Sequence, residues 1–212
     1  MGVGKAYVQL RRKDFYTRLA RERGYRSRAA FKLLEANRRF AFIKRGDCVV
    51  DLGAYPGGWT QIVQSAVGGK GFVLAVDARE IRGFPEPNVE TLVGDITDPR
   101  TRDLIRRRLP RKADAIISDL SPKISGIREL DHLRQMDLAK AAMEIAVETL
   151  RPGGSFFVKA LQGNLLDDFI RSLKSRFATV KLFKPRASKP RSREVYVLAR
   201  DLRPQHPCHP QG

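Results

Sequence analysis

From Asp47 onward the chain alternates short apolar runs with longer stretches whose apolar residues recur at helical spacing. Cys48–Leu52 (CVVDL), Phe72–Val76 (FVLAV), Val89–Val93, Ala113–Ser118 (ADAIIS) and Ser155–Ala160 predict buried strands. Between them Trp59–Val67 and residues 99–109, 133–150 and 165–177 predict helices, and Arg151-Pro-Gly-Gly supplies a strong stop after the third. Strands joined through helices lie parallel, so the pattern predicts an α/β fold with helices on both faces of one sheet. The rhythm breaks near the end. Thr179–Phe183 and Glu194–Ala199 are both strand-like with only a basic, proline-containing loop between them, which predicts an antiparallel pair. Ahead of the sheet, Ser27 is placed to cap a helix running RAAFKLLEANRRF. Its apolar side holds Ala30, Phe31, Leu33 and Leu34, and its polar side Arg28, Lys32, Glu35 and Arg39.

With 212 residues, 42% of them hydrophobic, the chain is expected to build one domain over residues 1–203, with a basic helical flank (1–45) and a disordered tail (204–212). No apolar run approaches the length of about 18 that a membrane span needs, and Arg and Lys stud the first 45 positions, so a soluble cytoplasmic protein is expected. Cys48 and Cys208 make no disulfide framework. His206, Cys208 and His209 sit among prolines without the two-pair spacing of a zinc site, so no metal is expected.

The net charge of +18 is unevenly placed: residues 1–45 carry +11 and residues 171–203 carry +9, leaving the rest about −2. Basic flanks around a nearly neutral middle suit a polyanion lying across the core, and nucleic acid is the expected partner. A basic membrane-binding face is the rival reading, but neither flank carries the long Trp/Phe/Leu side it would need.

The first strand runs into DLGAYPGGWTQ, at the place where open parallel sheets bind their ligands. Its glycines, Gly53, Gly57 and Gly58, match neither the dinucleotide fingerprint nor a P-loop, so no diphosphate is implied. Asp77, 24 residues after Gly53, ends the second strand where an acid can bind ribose hydroxyls, and Asp95 follows the third strand where it can meet the amine of a base. A nucleoside site with bare backbone and no phosphate site fits S-adenosylmethionine. Taken singly, the glycines also suit a plain tight turn and the acids plain helix caps. Taken in order along one sheet, they favour the cofactor.

These segments, DLGAYPGGWTQ, VGGKG, SDLSPKISG, GGSFFVKALQG and SREVYVLA, with RSRAAFKLLEA ahead of them, resemble the FtsJ/RrmJ family of S-adenosylmethionine-dependent RNA ribose 2′-O-methyltransferases from about residue 12 to residue 200. The resemblance implies a Rossmann-like class I methyltransferase fold, a mostly parallel seven-stranded sheet with one antiparallel strand. It also implies a catalytic set of Lys32, Asp119, Lys159 and Glu194, and cofactor contacts at Gly57, Trp59, Asp77, Asp95 and Asp119. Tyr55 stands where the family commonly has alanine, and Lys123 where it often has asparagine. Large-subunit (23S-type) ribosomal RNA, at a uridine, is the implied substrate. The tRNA anticodon loop and a non-catalytic role in ribosome assembly are the alternatives.

The chemistry has its own demands. A ribose hydroxyl attacking a sulfonium methyl must lose its proton, and Lys159 at the end of the fifth strand is the expected base, with burial and neighbouring Lys or Arg lowering its pKa from about 10.4. Asp119 would orient it, Lys32 would steady the hydroxyl oxygen or a phosphate, and Glu194 would anchor a lysine. Topology supports the grouping without the family. Asp119 and Lys159 end parallel strands, and Glu194 begins an antiparallel one, so all three reach the same sheet edge. The alternatives are a solvated Lys32 paired with Glu35, and a Glu194 paired with Arg191 or Arg193 at the surface. RNA contacts are expected from Arg11, Arg12, Lys13, Arg26 and Arg28 on one flank, and from Lys184, Arg186, Lys189, Arg191 and Arg193 on the other. Tyr16 and Tyr25 suit either base stacking or ordinary packing.

Overall fold

The expected strands all form, and the computed structural model, which describes residues 15–189 and 192–204, joins them into one sheet. In chain order they are β1 (Cys48–Leu52), β2 (Phe72–Asp77), β3 (Val89–Val93), β4 (Ala113–Ser118), β5 (Leu150–Leu161), β6 (Phe177–Phe183) and β7 (Glu194–Leu202). Their order across the sheet is β3-β2-β1-β4-β5-β7-β6. Strand β7 runs antiparallel to both β5 and β6, and the remaining pairs are parallel, as the missing helix between the last two strands dictates.

The helices are α1 (residues 15–22), α2 (Ala30–Phe40), α3 (Gly58–Val67), α4 (Pro99–Arg108), α5 (Arg128–Thr149) and α6 (Leu166–Arg176). Two starts differ from the sequence expectation. Helix α2 begins after Ala29 without a side-chain cap, because the Ser27 side chain packs where a Cβ on Gly58 would stand. Helix α5 starts at Arg128, its first turn tied to the preceding loop by Asp131, which accepts from the backbone N–H groups of Ser125 (2.7 Å) and Gly126 (3.2 Å). Among the described residues no helix is long and apolar enough to cross a membrane.

Side chains alternate across a strand, and the two faces of the sheet hold separate cores. Phe156, Val158, Val195 and Val197 belong to the core beneath α4, α5 and α6, whereas Phe157, Tyr196 and Leu198 belong to the one beneath α2 and α3. Each of these fully buried phenylalanines contributes about 1.5–3 kcal/mol by removing apolar surface from water. The same alternation places the polar ends of the strands. Lys159 falls two after Phe157, Asp119 two after Ile117, and Glu194 two before Tyr196, so all three share the face that α2 covers. Pairing of β5 with β7 sets Lys159 directly opposite Tyr196 and Leu161 opposite Glu194.

Candidate active site

Helix α2 brings Lys32 to this rim, and the alternative of a solvated side chain fails. Lys32 is only 8% exposed, and its amine lies 2.8 Å from Glu194 Oε1 and donates to the Tyr196 hydroxyl at 3.0 Å. Glu35, the alternative partner, instead accepts from the backbone N–H of Arg186 at 2.8 Å. The Tyr196 hydroxyl in turn donates to Asp119 Oδ1 at 2.7 Å. Asp119 faces Lys159, whose amine is 3.1 Å from Asp119 Oδ1, donates to the Asp119 carbonyl at 2.7 Å, and also reaches the Ser121 hydroxyl. Ser188 donates to Glu194 Oε1 at 2.8 Å from the far end. The result is one continuous polar chain: Ser188, Glu194, Lys32, Tyr196, Asp119, Lys159, Ser121.

Burial makes the chain electrostatically consequential. Desolvation alone would raise the Asp119 carboxyl, but Lys159 and then Lys32, with the Tyr196 hydrogen bond, hold it below its ordinary value, so it stays ionised. Burial, followed by the charges of Asp119 and Glu194, pushes the Tyr196 phenol well above its ordinary value and keeps it a donor. The sequence reading places Lys or Arg beside Lys159. Its contacts are instead oxygen acceptors, and Lys32 connects to its partner Asp119 through Tyr196. Tyr196 itself reads from sequence as a core strand residue. The one signal pointing further is its two-residue spacing from Glu194, which fixes both on one face.

The chain closes one end of a cavity of about 920 Å³ along the carboxyl edge of the sheet. Gly53, Asp77 and Asp95 line the other end, with Asp119 between. Asp77 Oδ2 accepts from the Tyr55 N–H at 3.0 Å and Oδ1 from the Arg79 N–H at 2.9 Å. Asp95 Oδ1 accepts from the Thr97 N–H at 2.9 Å and hydroxyl at 2.7 Å. Gly53 sits at φ +80°, and a Cβ there would meet Leu120 at 2.8 Å, so only glycine brings bare backbone to this wall. Tyr55 is at the cavity mouth, its ring under the Arg79 guanidinium at 3.9 Å.

The other residues that the sequence points to in this loop are placed differently. Gly57, Gly58 and Trp59 do not line the cavity. A Cβ on Gly57 would meet the Phe84 ring at 2.7 Å, and one on Gly58 would meet the Ser27 hydroxyl, so these glycines let the N-terminal segment pack closely. Trp59 is buried, donates its indole N–H to the Ala29 carbonyl at 2.8 Å and stacks on Phe157 at 5.7 Å. The Gly57 N–H donates to the Ala54 carbonyl at 2.6 Å, and Gly58 and Trp59 open α3, where first-turn N–H groups lack intrahelical acceptors.

The sequence profile of the FtsJ-like methyltransferase family matches residues 25–202. This chain belongs to that family. The FtsJ-like chain is similar to curated proteins named ribosomal RNA large subunit methyltransferase E. One from Methanothermobacter thermautotrophicus is 44% identical over 201 residues, covering 95% of each chain. Another from Archaeoglobus fulgidus is 47% identical over 192 residues, 91% of this chain and 97% of the relative. Among solved structures, a ribosomal RNA methyltransferase from Plasmodium falciparum aligns with a TM-score of 0.75 at 26% identity, over 85% of this chain and all of that one. Aeropyrum pernix fibrillarin, solved with S-adenosylmethionine, shares the fold, with a TM-score of 0.57 at 17% identity over 82% of this chain and 75% of that one.

S-adenosylmethionine is the cofactor of this FtsJ-like protein, and the cavity fits it. Bare backbone at Gly53 leaves room for a close approach, and the acids Asp77, Asp95 and Asp119 suit hydroxyls, an amine and a sulfonium charge.

The expected RNA contacts divide. Arg11, Arg12, Lys13 and Arg191 lie outside the described residues, as do Cys208, His206, His209 and most of the tail. Arg26 is engaged internally: its guanidinium lies 3.8 Å from the Phe84 ring and donates to the carbonyls of Pro56, Arg82 and Gly83. It therefore ties the N-terminal segment to the loop after β2. Arg28 is half-buried, whereas Lys184, Arg186 and Lys189 are exposed. Lys184 donates to the Ser192 carbonyl at 2.8 Å, and Arg193 Nε to the Gln162 carbonyl at 2.9 Å. Tyr16 and Tyr25 pack on Phe31 at 5.4 and 5.5 Å, in a small satellite core.

One buried group near the site carries no signal in the sequence. Asp51 is fully buried on β1. Its Oδ2 accepts from the Thr60 hydroxyl at 2.7 Å, and its Oδ1 has no hydrogen-bond partner among the described residues. Burial, opposed by Thr60 and aided by Asp119 and Asp77, pushes its carboxyl up to about 7. The native state then holds a proton that the unfolded chain releases near an ordinary carboxylate value of about 3.9. Stability should therefore fall as pH rises from there toward 7 and level off above it, at a slope of up to about 1.4 kcal/mol per pH unit. Urea unfolding of wild type and Asp51→Asn should show this decline only in the wild type; parallel pH profiles would refute it.

Proposed function

We propose that this protein transfers a methyl group from S-adenosylmethionine to a ribose 2′-hydroxyl of large-subunit ribosomal RNA, at a uridine. The observation that carries this reading is the convergence of Lys32, Asp119, Lys159 and Glu194, with Tyr196, on one end of the cavity. The names of the relatives in Methanothermobacter and Archaeoglobus support the substrate class. A protein that only bound RNA would have little use for two buried amines and two carboxylates joined in series.

When bound, the cofactor supplies an electrophilic methyl on a sulfonium. Asp77 would hold its ribose hydroxyls, Asp95 its base amine, and the Gly53 backbone and Asp119 would take its amino-acid end and positive charge. The acceptor ribose enters from the Lys32 side. Methylation at O2′ would release the hydroxyl proton, and Lys159 Nζ would take it. Lys159 is fixed by the Asp119 carbonyl, the Asp119 carboxylate and the Ser121 hydroxyl, an acceptor set that an ammonium fills. To act as base, the neutral amine exchanges one of these for the substrate hydroxyl. Lys32, anchored by Glu194, steadies the oxygen or its phosphate.

Substrate identity is tested by offering large ribosomal subunits, free ribosomal RNA and tRNA separately with labelled cofactor. Label should enter large-subunit RNA and map to a uridine ribose. Exclusive labelling of tRNA would refute the substrate.

A further inference from the structure

A second cavity of about 810 Å³ opens on the other side of the β5–β7 rim, between the start of α5 and the loop into α6. The linings of the two cavities are neighbours along the chain. Chain leaving Lys159 reaches Gln162, chain entering Glu194 comes from Arg193, and the two pair where the Gln162 N–H donates to the Arg193 carbonyl at 2.8 Å.

Its lining is chemically mixed in a particular way. Arg128 and Arg193 supply cations against one acid, Glu129. Arg193 is held by its Nε on the Gln162 carbonyl, which leaves the rest of its fork free of that bond. Leu133, 45% exposed, and the half-buried Leu165 give apolar surface, and Gln162 and Asn164 give amides. His132 lies in the floor, only 3% exposed. Its Nε2 accepts from the Leu165 N–H at 3.2 Å, and the side chain of Asn164, which also lines the cavity, stands beside the ring as a hydrogen-bonding neighbour. Gly163 is required here, since a Cβ would strike the His132 ring at 2.6 Å.

We propose that this second cavity is a nucleotide subsite for the RNA strand, taking a residue that flanks the methylated ribose. Its phosphate lies between Arg128 and Arg193, and its unstacked base rests against Leu133 and Leu165 beside the His132, Gln162 and Asn164 polar groups. Cations with apolar and amide surface match a single-stranded nucleotide, which presents phosphate, ring face and base edge together. The subsite rests on the RNA reading above.

The test measures binding of a fluorescein-labelled single-stranded RNA oligonucleotide of about a dozen residues by anisotropy across a salt series. In Arg128→Gln/Arg193→Gln the affinity should fall about tenfold or more, and the slope of log affinity on log salt should shrink by about 1.4, at about 0.7 for each phosphate no longer neutralised. Affinity for S-adenosylmethionine should hold. Arg106→Gln/Arg107→Gln, which removes equal charge from the last turn of α4, outside both basic flanks and at the opposite sheet edge, should leave RNA affinity and slope unchanged. Equal losses in both double variants, or none in the first, overturn the subsite, as does a wild type that does not bind the oligonucleotide. If the first variant does not fold, the exposed Arg128→Gln alone should lower the slope by about half as much. Failure of the parent reading looks different: wild type binds RNA through this cavity yet labels no ribose.

Discussion

Replacing Lys159 with alanine should reduce methyl transfer by about 10²–10⁴-fold, the usual contribution of a positioned proton acceptor, while changing cofactor affinity little. Lys159 is 5% exposed, and its amine contacts Asp119 and Ser121, so its loss removes the proton acceptor from the reacting end of the cavity. The cofactor end, at Gly53, Asp77 and Asp95, is untouched. Single-turnover transfer, paired with calorimetric titration of S-adenosylmethionine, separates the two effects. Wild-type turnover in the variant would remove Lys159 from the chemistry. A large loss of cofactor affinity would make it a cofactor-binding residue instead.

The second large effect concerns Lys32 and Glu194. Their side chains are 11% and 15% exposed, and neither charge has much water to fall back on. Among the described residues Lys32→Met leaves Glu194 with the neutral hydroxyls of Ser188 and Tyr196 but no cation, and should destabilise the fold by about 3–5 kcal/mol, the cost of a buried charge stripped of its partner. Adding Glu194→Gln removes the orphaned charge, so the double variant should recover most of that stability. Methyl transfer should stay low in both, because neither restores the amine beside the acceptor oxygen. Denaturant melts of the two single variants and the double give the coupling directly. Additive losses would mean that the pair is not coupled. Recovery of transfer along with stability would mean that Lys32 serves the fold alone.

Much of this arrangement is legible in the amino-acid order alone. Strand and helix periods predict the parallel sheet, and the missing helix after Phe183 predicts the antiparallel β7, which turns Glu194 back to the rim where β4 and β5 end. What the sequence conceals has a common cause. Helical periodicity separates polar from apolar positions, but it cannot tell a polar side facing water from one facing a buried polar network. Lys32 therefore groups with Arg28, Glu35 and Arg39, although it is buried among Glu194 and Tyr196. Tyr196, an aromatic in a strand of β-branched and apolar residues, reads as core, although its hydroxyl links the two charge pairs. Arg26 reads as a phosphate ligand because charge alone does not reveal that its guanidinium is folded onto three carbonyls and a phenyl ring. Gly57 and Gly58 read as ligand backbone, and nothing in their spacing signals that Arg26 and Ser27 pack against them. The second cavity is hidden for the same reason: His132, Gln162, Asn164 and Arg193 come from three separate segments.

The central claim is that the acceptor is a sugar oxygen activated by Lys159, and the position of the transferred methyl tests it most directly. Large-subunit RNA labelled by this protein would be hydrolysed in alkali, which cleaves next to free 2′-hydroxyls and leaves a 2′-O-methylated residue joined to its neighbour. Label recovered in alkali-resistant dinucleotides is the expected result. Label recovered in mononucleotides would place the methyl on a base and contradict it.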